Sequence, residues 1–558
     1  MKKSRNIRFI VVLLAVILIV NLFAAQVFER FDLTQNKRYT LSSPSKEIVK
    51  DIEKPILVSV FLKGDFPSNF RRLENETRYM LEEFSAQNRK IKFEFFNPLE
   101  ENKAEPEQIG HQFLQAGMPP QRLNIKKSGK TSESLIFPWA IATYGEKQVQ
   151  IPLLKMNPED SEEDLVNNSV QNLEYAFANA FKQLTTEKSK KIAVLRGHGE
   201  LKDIEIADFL KGVGTYYHTA PFTLDSVAQN PQKTLKQLKE YDLIVEAKPT
   251  QPFGEEEKFV LDQYLMNGGK ALWLLESVAA EKDSLFTSPH QTMLAFPRDL
   301  KLTDFFFKYG VRITPSLIND LHADEIVLAT GTGRQTQFQT FPWYYAPLVV
   351  SKSEHPIAHN IAPVRFDFAN PMDTLKNDLN KTILLKSSIA TKVEGTPREI
   401  NLRSTIGQKP DFETYMSGPQ NLAVLVEGEF TSVYKDRVKP FELKNPKEKS
   451  PETKMIVISD GDVIKNEIEK GKPVSLEYDP KTGKSYGNKE FLLNAVNYLL
   501  DDSGLLNIRS KKVQLAFLDY NKIEAQRSWW QVINIGVPLI ILALFGMGFR
   551  FYRKRKYQ

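Results

Sequence analysis

The sequence predicts an α/β protein whose body is flanked by two transmembrane helices. Three observations support this fold class. Apolar runs with basic outer flanks lie near both ends of the 558-residue chain. Between them, short runs rich in β-branched residues alternate with amphipathic helical stretches, which is typical of α/β domains. The mean hydropathy of −0.36 excludes a protein with many membrane spans.

The first apolar run extends from Phe9 to Val20, resumes from Leu22 to Ala25, and follows four basic residues. A cleaved secretory signal is the alternative interpretation. Cleavage after Ala25 would place Phe23 at a position where a small residue is required. We therefore expect an uncleaved anchor within residues 1–27, and in either case an exported body.

The second apolar run, from Val532 to Phe549, follows Trp529 and Trp530 and precedes five basic residues, which together define residues 529–558 as the second span and its tail. About 20 apolar helical residues cross a bilayer core of roughly 30 Å. Because Lys and Arg are retained on the cytoplasmic side, we expect both termini in the cytoplasm and the body in the periplasm.

Charge and cysteine content exclude several classes of function. The formal net charge is +6, and removing the nine basic residues of the two tails leaves −3 for the rest of the chain. A basic groove for nucleic acid is therefore not expected. The chain has no cysteine, which excludes disulfides, thiolate nucleophiles and cysteine-ligated metals, and suits an exported bacterial protein.

The predicted succession of strands and helices divides the body into a neck, two domains and a linker. A neck at 28–54 contains a predicted helix, Pro44 to Ile52, capped by Ser43. The first α/β domain spans 55–187, the second spans 188–504 with an insertion at about 280–445, and a linker at 505–528 returns to the membrane.

The first domain is predicted to have a thioredoxin-like outline. Strands at Ile56 to Leu62 and Ile91 to Phe96 enclose a helix at Arg71 to Ala86, which predicts a parallel β-α-β unit. Further strands are expected at 135–144 and 149–154, followed by a helix at 162–184. Without cysteine, thioredoxin chemistry is excluded.

The second domain is predicted to be a doubly wound α/β sheet. Its strands are expected at 192–195, 242–247, 271–275 and 455–459, with helices at 255–267 and 488–500. Gly268 and Gly269 would end the first of these helices. Within the insertion, the aromatic and proline-rich stretch from Phe341 to Pro347 is predicted to be a loop.

Two turns that follow predicted strands are the candidate ligand or partner sites, since α/β folds bind ligands there. The first turn consists of Arg196, Gly197, His198, Gly199 and Glu200, and could hold an anion and an acid–base pair. It lacks the spacing of a phosphate-binding loop or nucleophile elbow. A tight structural turn is the favoured interpretation.

Asp460 and Asp462 form the second turn and could ligate a hard cation, although the full calcium-loop pattern is missing. His355 and His359 have the spacing of a helical metal site, but Pro356 makes a helix over both doubtful. We therefore assign no catalytic residue, metal or cofactor.

Small and polar residues within the two predicted spans predict helix–helix packing in the membrane, either between the two spans or with a membrane partner. These residues are Asn21, Gln531, Asn534, Gly536, Gly546 and Gly548.

Several stretches occur in an order that is specific as a combination. They are Phe31 to Thr34 with Lys37 to Ser42, Arg196 to Glu200, Tyr309 to Ile313, Ser459 to Asp462, and Tyr486 to Asn488 leading into Leu492 to Leu500. In this combination the chain resembles the gliding-motility-associated ABC transporter auxiliary proteins of the GldG type. The resemblance implies an accessory subunit that works with a separate ATPase and a multi-span permease in the bacterial inner membrane.

The second domain is also similar in outline to the class I glutamine amidotransferase-like fold. The catalytic cysteine of that fold has no counterpart here, so its activity is not carried over. The main hypothesis is a non-enzymatic extracytoplasmic subunit for gliding motility or envelope export, which could also form a homo-oligomer. The alternatives are an envelope enzyme that combines the two turns, and a mechanical periplasmic spacer.

Overall fold

The computed structural model describes residues 40–101, 105–127, 130–155, 161–330, 337–407, 409–501, 503–510 and 520–557, together with Leu13 and Val16. Apart from these two residues, the predicted first transmembrane helix and Asn21 lie outside the described residues. The chain forms two compact units, Met1–Lys511 and Lys512–Gln558, and each is described by itself. The predicted mixed α/β class is confirmed.

The N-terminal part of the body is built on a four-stranded sheet in the order β2-β1-β5-β6. Strands β1 and β2 are parallel, as predicted, with Ile56 beside Ile91. The elements are α1 (Ser43–Lys50), β1 (Ile56–Val60), α2 (Ser68–Gln87), β2 (Ile91–Phe95), α3 (Pro98–Glu101), α4 (Pro106–Gln115), β3 (Gln121–Lys127), β4 (Lys130–Ile136), β5 (Trp139–Tyr144), β6 (Lys147–Pro152) and α5 (Glu162–Thr185).

Helix α1 begins one residue earlier than predicted, and its N-cap is Ser42, not Ser43. The backbone of Ser42 is extended, and its hydroxyl accepts a hydrogen bond from the amide of Ser45 at 3.4 Å. The Ser45 hydroxyl donates to Glu174 on α5 at 2.8 Å, and Val49 is fully buried. The helix predicted in the neck therefore packs into the core beside α5.

The strand predicted at 135–144 is wrong as a single element. It is divided at Pro138, which has no amide hydrogen to donate to a sheet ladder. The residues before the break belong to β4, which pairs with β3 in a separate hairpin. This hairpin was missed because its strands are polar and do not alternate.

The central sheet has nine strands, eight of them in the order β13-β18-β22-β23-β10-β9-β7-β8, and β19 also pairs with β22. Strands β8, β7, β9, β10 and β23 are mutually parallel, whereas β22 and β18 are antiparallel to their neighbours. The elements up to β10 are β7 (Lys191–Arg196), α6 (Ala207–Gly214), β8 (His218–Thr223), α7 (Pro231–Leu238), β9 (Leu243–Ala247), α8 (Glu255–Met266) and β10 (Lys270–Leu274).

After β10 the chain leaves the parallel part of the sheet, and β23 returns to it. The elements are β11 (Val278–Ala279), α9 (Lys282–Thr287), β12 (Thr292–Pro297), α10 (Thr303–Lys308), β13 (Val311–Ile313), β14 (Ser316–Asp320), β15 (Ala323–Thr330), β16 (Gln337–Val349), β17 (Val364–Arg365), β18 (Met372–Thr374), β19 (Asn380–Lys386), β20 (Thr391–Gly395), β21 (Arg398–Asn401), α11 (Leu402–Gly407), β22 (Asn421–Thr431), β23 (Lys449–Ile458), β24 (Ile468–Glu469), β25 (Lys472–Pro473), β26 (Tyr478–Asp479), β27 (Lys484–Ser485) and α12 (Asn488–Leu500).

Apolar side chains form a core on each face of the central sheet. One core contains residues of α6 and α12, including Phe209 and Leu492, and the other contains residues of α7, α8 and α10, including Phe259 and Phe305. The central strands are buried on both faces because helices cover both, as expected for a doubly wound sheet.

The stretch from 280 to 445 is not wholly an insertion. Four of its strands, β13, β18, β19 and β22, belong to the central sheet, and the others form small sheets around a separate core with Trp343 and Tyr345. The loop predicted from Phe341 to Pro347 is wrong, because it lies inside β16. Burial of Trp343 and Tyr345 on one face of the strand outweighs the two prolines.

The second unit contains α13 (Tyr520–Tyr557), in which Gln526 has a non-helical backbone. From Gln526 to Arg555 this helix is long and apolar enough to cross a membrane, and none of it is buried within the protein. The second apolar run therefore forms the predicted helix.

Candidate functional site

The candidate residues lie at one edge of the central sheet, where the carboxyl ends of four parallel strands are side by side. Arg196 ends β7, Lys248 follows β9, Glu276 lies two residues after β10, and Asp460 lies two residues after β23. The chain reverses its direction of progress across the sheet between β7 and β9, and ligands of open α/β sheets usually bind in the crevice at such a point. This edge is the candidate site.

The crevice between β7 and β9 is closed by the chain itself. The amides of Thr250 and Gln251 donate to the carbonyl of His198 at 2.7 and 2.8 Å. Gly199 has a φ of +72°, and a Cβ there would lie 2.1 Å from the Thr250 hydroxyl. The first candidate turn is therefore held directly against the loop that follows β9.

His198 is 5% exposed and lies between two carboxylates. Its Nε2 is 3.1 Å from Glu257 and its Nδ1 is 3.5 Å from Glu200, while its ring stacks on Phe253 at 3.8 Å. Burial alone would lower the pKa of His198, but the neighbouring Glu200 and Glu257 carboxylates outweigh burial and raise this pKa to about 9. The ring is therefore an imidazolium at neutral pH.

The remaining polar groups of this turn also have partners within the protein. Glu200 accepts hydrogen bonds at 2.9 Å from the amides of Gly197 and His198. Arg196 donates to Asp203 at 2.5 Å and to the carbonyl of Leu195. The anion that Arg196 was predicted to hold is therefore a carboxylate of the same chain.

Glu246, which the sequence reasoning missed, lies on β9 beneath this turn and is fully buried. Burial and the neighbouring Glu200 carboxylate raise its pKa well above the ordinary range. This shift favours the neutral form of Glu246, which limits the charge buried beside His198 and the two carboxylates.

Lys248 is the centre of the second network. Its ammonium is 2.7 Å from Asp462, 3.0 Å from Glu276 and 3.0 Å from Glu281, and its side chain is 3% exposed. Arg298 pairs with Glu276 at 2.9 Å and with Glu281 at 3.5 Å. Burial would lower the pKa of Lys248, but the carboxylates, Asp462 above all, raise it well above its usual value.

A metal ion would compete with this lysine. One oxygen from each of Glu276, Asp460 and Asp462 lies within 4.8 Å of the others, which is a spacing that hard cations can bridge. The Lys248 ammonium already contacts Glu276 and Asp462. Burial and the neighbouring Asp462 and Glu276 carboxylates raise the pKa of Asp460 well above its usual value, which favours its neutral form, and its two oxygens accept hydrogen bonds from the amides of Asp367 and Asp462. The residues present fit an internal ammonium better than a metal.

The two candidate turns belong to separate networks. Among the contacts that the structure describes, none joins His198 to Asp460 or Asp462, and the networks meet only through β9, which carries Glu246 and is followed by Lys248. Ser459 offers no free hydroxyl, because it is buried and donates to the carbonyl of Leu422.

The other sequence candidates are placed as follows. His355 and His359 lie in turns, where burial lowers the pKa of each, and His355 packs edge-on against Tyr498. Gln531, Asn534, Gly536, Gly546 and Gly548 all lie on α13. A Cβ at any of these three glycines would meet no atom within 4 Å.

The sequence reasoning missed Lys248, Glu276, Glu281 and Arg298. Lys248 and Glu276 could have been found, because Lys248 directly follows one predicted buried strand and Glu276 lies just after another, as the candidate turns do. Glu281 and Arg298 carry no such signal, since only the packing of the segment after β10 returns them to the sheet edge.

A family model described as an ABC-type uncharacterized transport system matches residues 189–495, which is more than half of the chain and includes the whole sheet edge. A second model, described as a domain of unknown function (DUF7088), matches residues 35–143. An uncharacterized protein of Borreliella burgdorferi is 22% identical over 538 residues, which is 94% of each chain.

Two solved structures match with low TM-scores. The mmIFT52 N-terminal domain has a TM-score of 0.30 at 11% identity and covers 56% of this chain and 98% of its own. A ThuA-like protein from Parabacteroides merdae has a TM-score of 0.27 at 10% identity and covers 60% of this chain and 94% of its own. Likeness at this level carries no argument about function.

Proposed function

The chain belongs to the family of auxiliary components of ABC-type uncharacterized transport systems, and from this premise we propose that it is a non-enzymatic accessory subunit working with a separate ATPase and a multi-span permease. In this role the body binds a partner or cargo, and the membrane helices pack against the permease. Transport for gliding motility or envelope export is the proposed setting, from the resemblance of the quoted motifs to GldG-type proteins.

The observation that supports a non-enzymatic role is that the reactive side chains at the sheet edge form ion pairs within the protein. The groups that a reaction would use are already committed: Lys248 to three carboxylates, and His198 to Glu200 and Glu257. An acid–base catalyst needs a proton-transfer group within hydrogen-bond reach of substrate and a pKa near the working pH. The His198 pKa of about 9 and its buried position favour a structural role.

The proposed arrangement in the membrane has two spans, with both termini in the cytoplasm and the body in the periplasm of a bacterial inner membrane. The apolar helix from Gln526 to Arg555 supports the second span. The basic residues after it and before the first apolar run support the orientation. We also propose a thioredoxin-like outline for the first domain and an amidotransferase-like outline for the second.

Co-purification tests the accessory role. The tagged full-length protein, extracted from its native membranes in mild detergent, should recover an ATPase and a multi-span permease. Replacing Gln531→Leu and Asn534→Leu together should reduce recovery several-fold, because polar side chains within a span pack against other helices. The control Val438→Ser alters a residue that is 93% exposed on the body and should change nothing. Wild-type protein that recovers neither subunit would contradict the accessory role.

Cysteine labelling tests the orientation, since the natural chain contains no cysteine. In intact inner-membrane spheroplasts, Val438→Cys should react with a membrane-impermeant maleimide, whereas Gln558→Cys should react only after lysis. The reverse pattern, or equal labelling of both before lysis, would exclude a periplasmic body with a cytoplasmic C-terminus.

Loss of gliding after deletion of the gene in a gliding host would support gliding motility as the setting of this transport system. Unchanged gliding would favour envelope export.

A further inference from the structure

A cleft of about 440 Å³ lies at the junction of the two α/β parts of the body. Its walls are the neck helix α1, the second half of α5, the segment between α5 and β7, and the ends of α6 and α12 with the residues that follow them. A sphere of this volume is about 9 Å across, whereas a helix with its side chains is roughly 10–12 Å wide. The cleft therefore has room for the side chains of a ligand but not for a whole helix.

The surface that a ligand meets in this cleft is mainly apolar. Sites for apolar groups are lined by aromatic rings and aliphatic side chains, and they often lie where two domains meet. Here both α/β parts and the segment after α12 contribute such side chains, namely Pro44, Ile48, Tyr175, Tyr216, Tyr217, Leu500, Leu505 and Leu506. Apolar side chains of a ligand are therefore stabilised by leaving water for this cleft.

Two tyrosine hydroxyls of the cleft already have partners within the protein. The Tyr216 hydroxyl accepts hydrogen bonds from Asn179 at 2.9 Å and from Gln183 at 2.6 Å. The Tyr217 hydroxyl donates to Asn497 at 2.8 Å. Because these hydroxyls are paired, the two side chains offer a ligand the carbon atoms of their rings.

The charges of the cleft are also balanced within the protein. The Lys182 ammonium is 2.6 Å from Asp501 and donates to Ser503 at 3.0 Å. Three basic and three acidic side chains line the cleft, which are Lys182, Lys188, Lys190, Glu47, Glu187 and Asp501. In the part of the chain that the structure describes, no buried polar side-chain atom of these walls lacks a hydrogen-bond partner. An uncharged, apolar ligand therefore suits the cleft best.

The chain enters and leaves the body beside this cleft. Helix α1 on one wall follows the first apolar run after residues 26–42, and Leu506 on another wall is separated from the apolar part of α13 by residues 507–525. These walls are therefore close in sequence to both predicted spans. A partner that packs against the spans is tethered to the same chain, which raises its effective concentration at the cleft.

The two segments beside the cleft are fastened to neighbouring residues of α5. The Ser42 amide donates to Glu174 at 2.6 Å, and the Arg509 guanidinium lies over the ring of Tyr175 at 5.2 Å from its centre. Glu174 and Arg509 are both buried. The walls are therefore held in place before a ligand arrives, which lowers the entropic cost of binding.

We propose that the cleft binds apolar, uncharged side chains from an extracytoplasmic segment of the permease. This inference rests on the proposed function, because it assigns the contact through which the body meets the permease. The apolar walls, the balanced charge and the position between the two membrane-linked segments support this partner. Aromatic or leucine side chains of the permease segment fill the cleft as anchors. The permease then contacts both α/β parts of the body at once.

Photo-crosslinking in native membranes tests this proposal. The full-length protein carries p-benzoylphenylalanine in place of Thr215 or Glu187, two exposed residues that line the cleft. Irradiation should give an adduct with the permease from either position, identified by mass spectrometry as a multi-span protein. The same group in place of Val438, which is 93% exposed and outside the cleft, should give no such adduct. Adducts with lipid, with the same chain or with another protein only, or no adduct, would overturn the proposal.

A variant that obstructs the cleft gives a second test. Thr215→Arg adds a long charged side chain to the cleft and should lower both permease recovery and crosslinking from position 187 about tenfold, because burying an unpaired charge is unfavourable. The control Val438→Arg adds the same charge outside the cleft and should change neither. Undiminished recovery and crosslinking with Thr215→Arg would place the permease contact elsewhere.

The two proposals can fail separately. Wild-type protein that recovers the ATPase and permease but gives no permease adduct from the cleft would refute this contact alone. Recovery of neither subunit would refute the accessory role itself. Thermal unfolding shows whether each variant is folded, and the crosslinks from the chain without Thr215→Arg decide the question if that variant is not.

Discussion

Lys248 is a buried ammonium with carboxylates on three sides, and single side chains of this kind decide the stability of the sheet edge. Its backbone is in the left-handed region, with a φ of 58°, so the chain departs from β9 sharply to place it. The carboxylates around it come from two distant segments, Glu276 and Glu281 from the one that follows β10 and Asp462 from the one that follows β23. Lys248 therefore holds these segments together by charge.

Replacing Lys248→Met should lower the free energy of unfolding by about 3–5 kcal/mol, because it leaves buried carboxylates without a countercharge. Urea denaturation followed by tryptophan fluorescence measures this change. The control Lys308→Met, at an exposed position, should stay within about 0.5 kcal/mol of wild type. A loss below about 1 kcal/mol for Lys248→Met would show that the three pairs are not a structural network.

The raised pKa of His198 predicts a dependence of stability on pH. Because the folded-state pKa of about 9 exceeds the ordinary 6.5, the contribution of His198 is complete below pH 6.5 and is lost as pH rises through about 9. Its size is about 3 kcal/mol, from about 1.4 kcal/mol per pH unit. The difference in unfolding free energy between wild type and His198→Gln should therefore shrink from pH 6 to pH 10. A constant difference would contradict the charged state.

At the scale of elements, the turn after β23 is shaped by how closely it approaches the turn after β9. A Cβ on Gly461 would lie 2.4 Å from Lys248 Cγ and 3.0 Å from Lys248 Cα. Since the backbone itself is that close, a rotamer change of Lys248 cannot relieve the contact. The glycine between Asp460 and Asp462 is therefore required by packing and not by its own φ, which is −83°.

Gly461→Ala should destabilise the protein by about 1–3 kcal/mol, as overpacking of a close contact usually does. Gly214→Ala is the matched control, because a Cβ at the end of α6 meets no atom within 4 Å. Alanine there should be neutral or stabilising by up to about 1 kcal/mol. Thermal unfolding of both variants measures the difference. Equal melting temperatures would show that the two turns can move apart without cost.

Elements with a strong local signal were predicted well and those without one were missed. Helix α8 ends at Met266, where Gly268 adopts a φ of +92°, as the Gly-Gly pair indicates. Strand β8 was missed because it is an edge strand with exposed residues and Pro221, so its sequence shows neither burial nor alternation. An edge strand is stabilised by backbone hydrogen bonds to the neighbouring strand, and its own sequence contains no pattern that predicts this pairing.

At the scale of the whole body, Arg509 joins the two α/β parts near the C-terminal end of the first unit. Its side chain is 3% exposed and pairs with Glu490 on α12 at 2.5 Å, donates to Asn494, and lies over the ring of Tyr175 on α5. Lys155 reaches the same Glu490 at 3.1 Å. The segment that leads toward α13 is thus fastened at the junction between the two sheets.

Arg509→Met should lower the free energy of unfolding by about 3–5 kcal/mol, because Glu490 loses a buried partner. The control Arg437→Met removes an exposed pair with Asp304 and should cost less than about 1 kcal/mol. Calorimetry can also detect whether the two α/β parts then unfold separately. Unchanged stability of Arg509→Met would mean that the junction is held by apolar packing alone.

The sequence by itself determined the α/β class, the apolar C-terminal helix, the parallel start of each sheet and the positions of the two candidate turns. These follow from local signals, namely periodicity, glycine caps and the charge of flanking residues. Only the tertiary structure decided that 280–445 contributes four strands to the central sheet, that Lys248 occupies the space between the carboxylates, and that His198 is fixed as an imidazolium. The physical reason is that pairing of distant strands and burial of charge depend on which segments meet in space, and no short stretch of sequence specifies that.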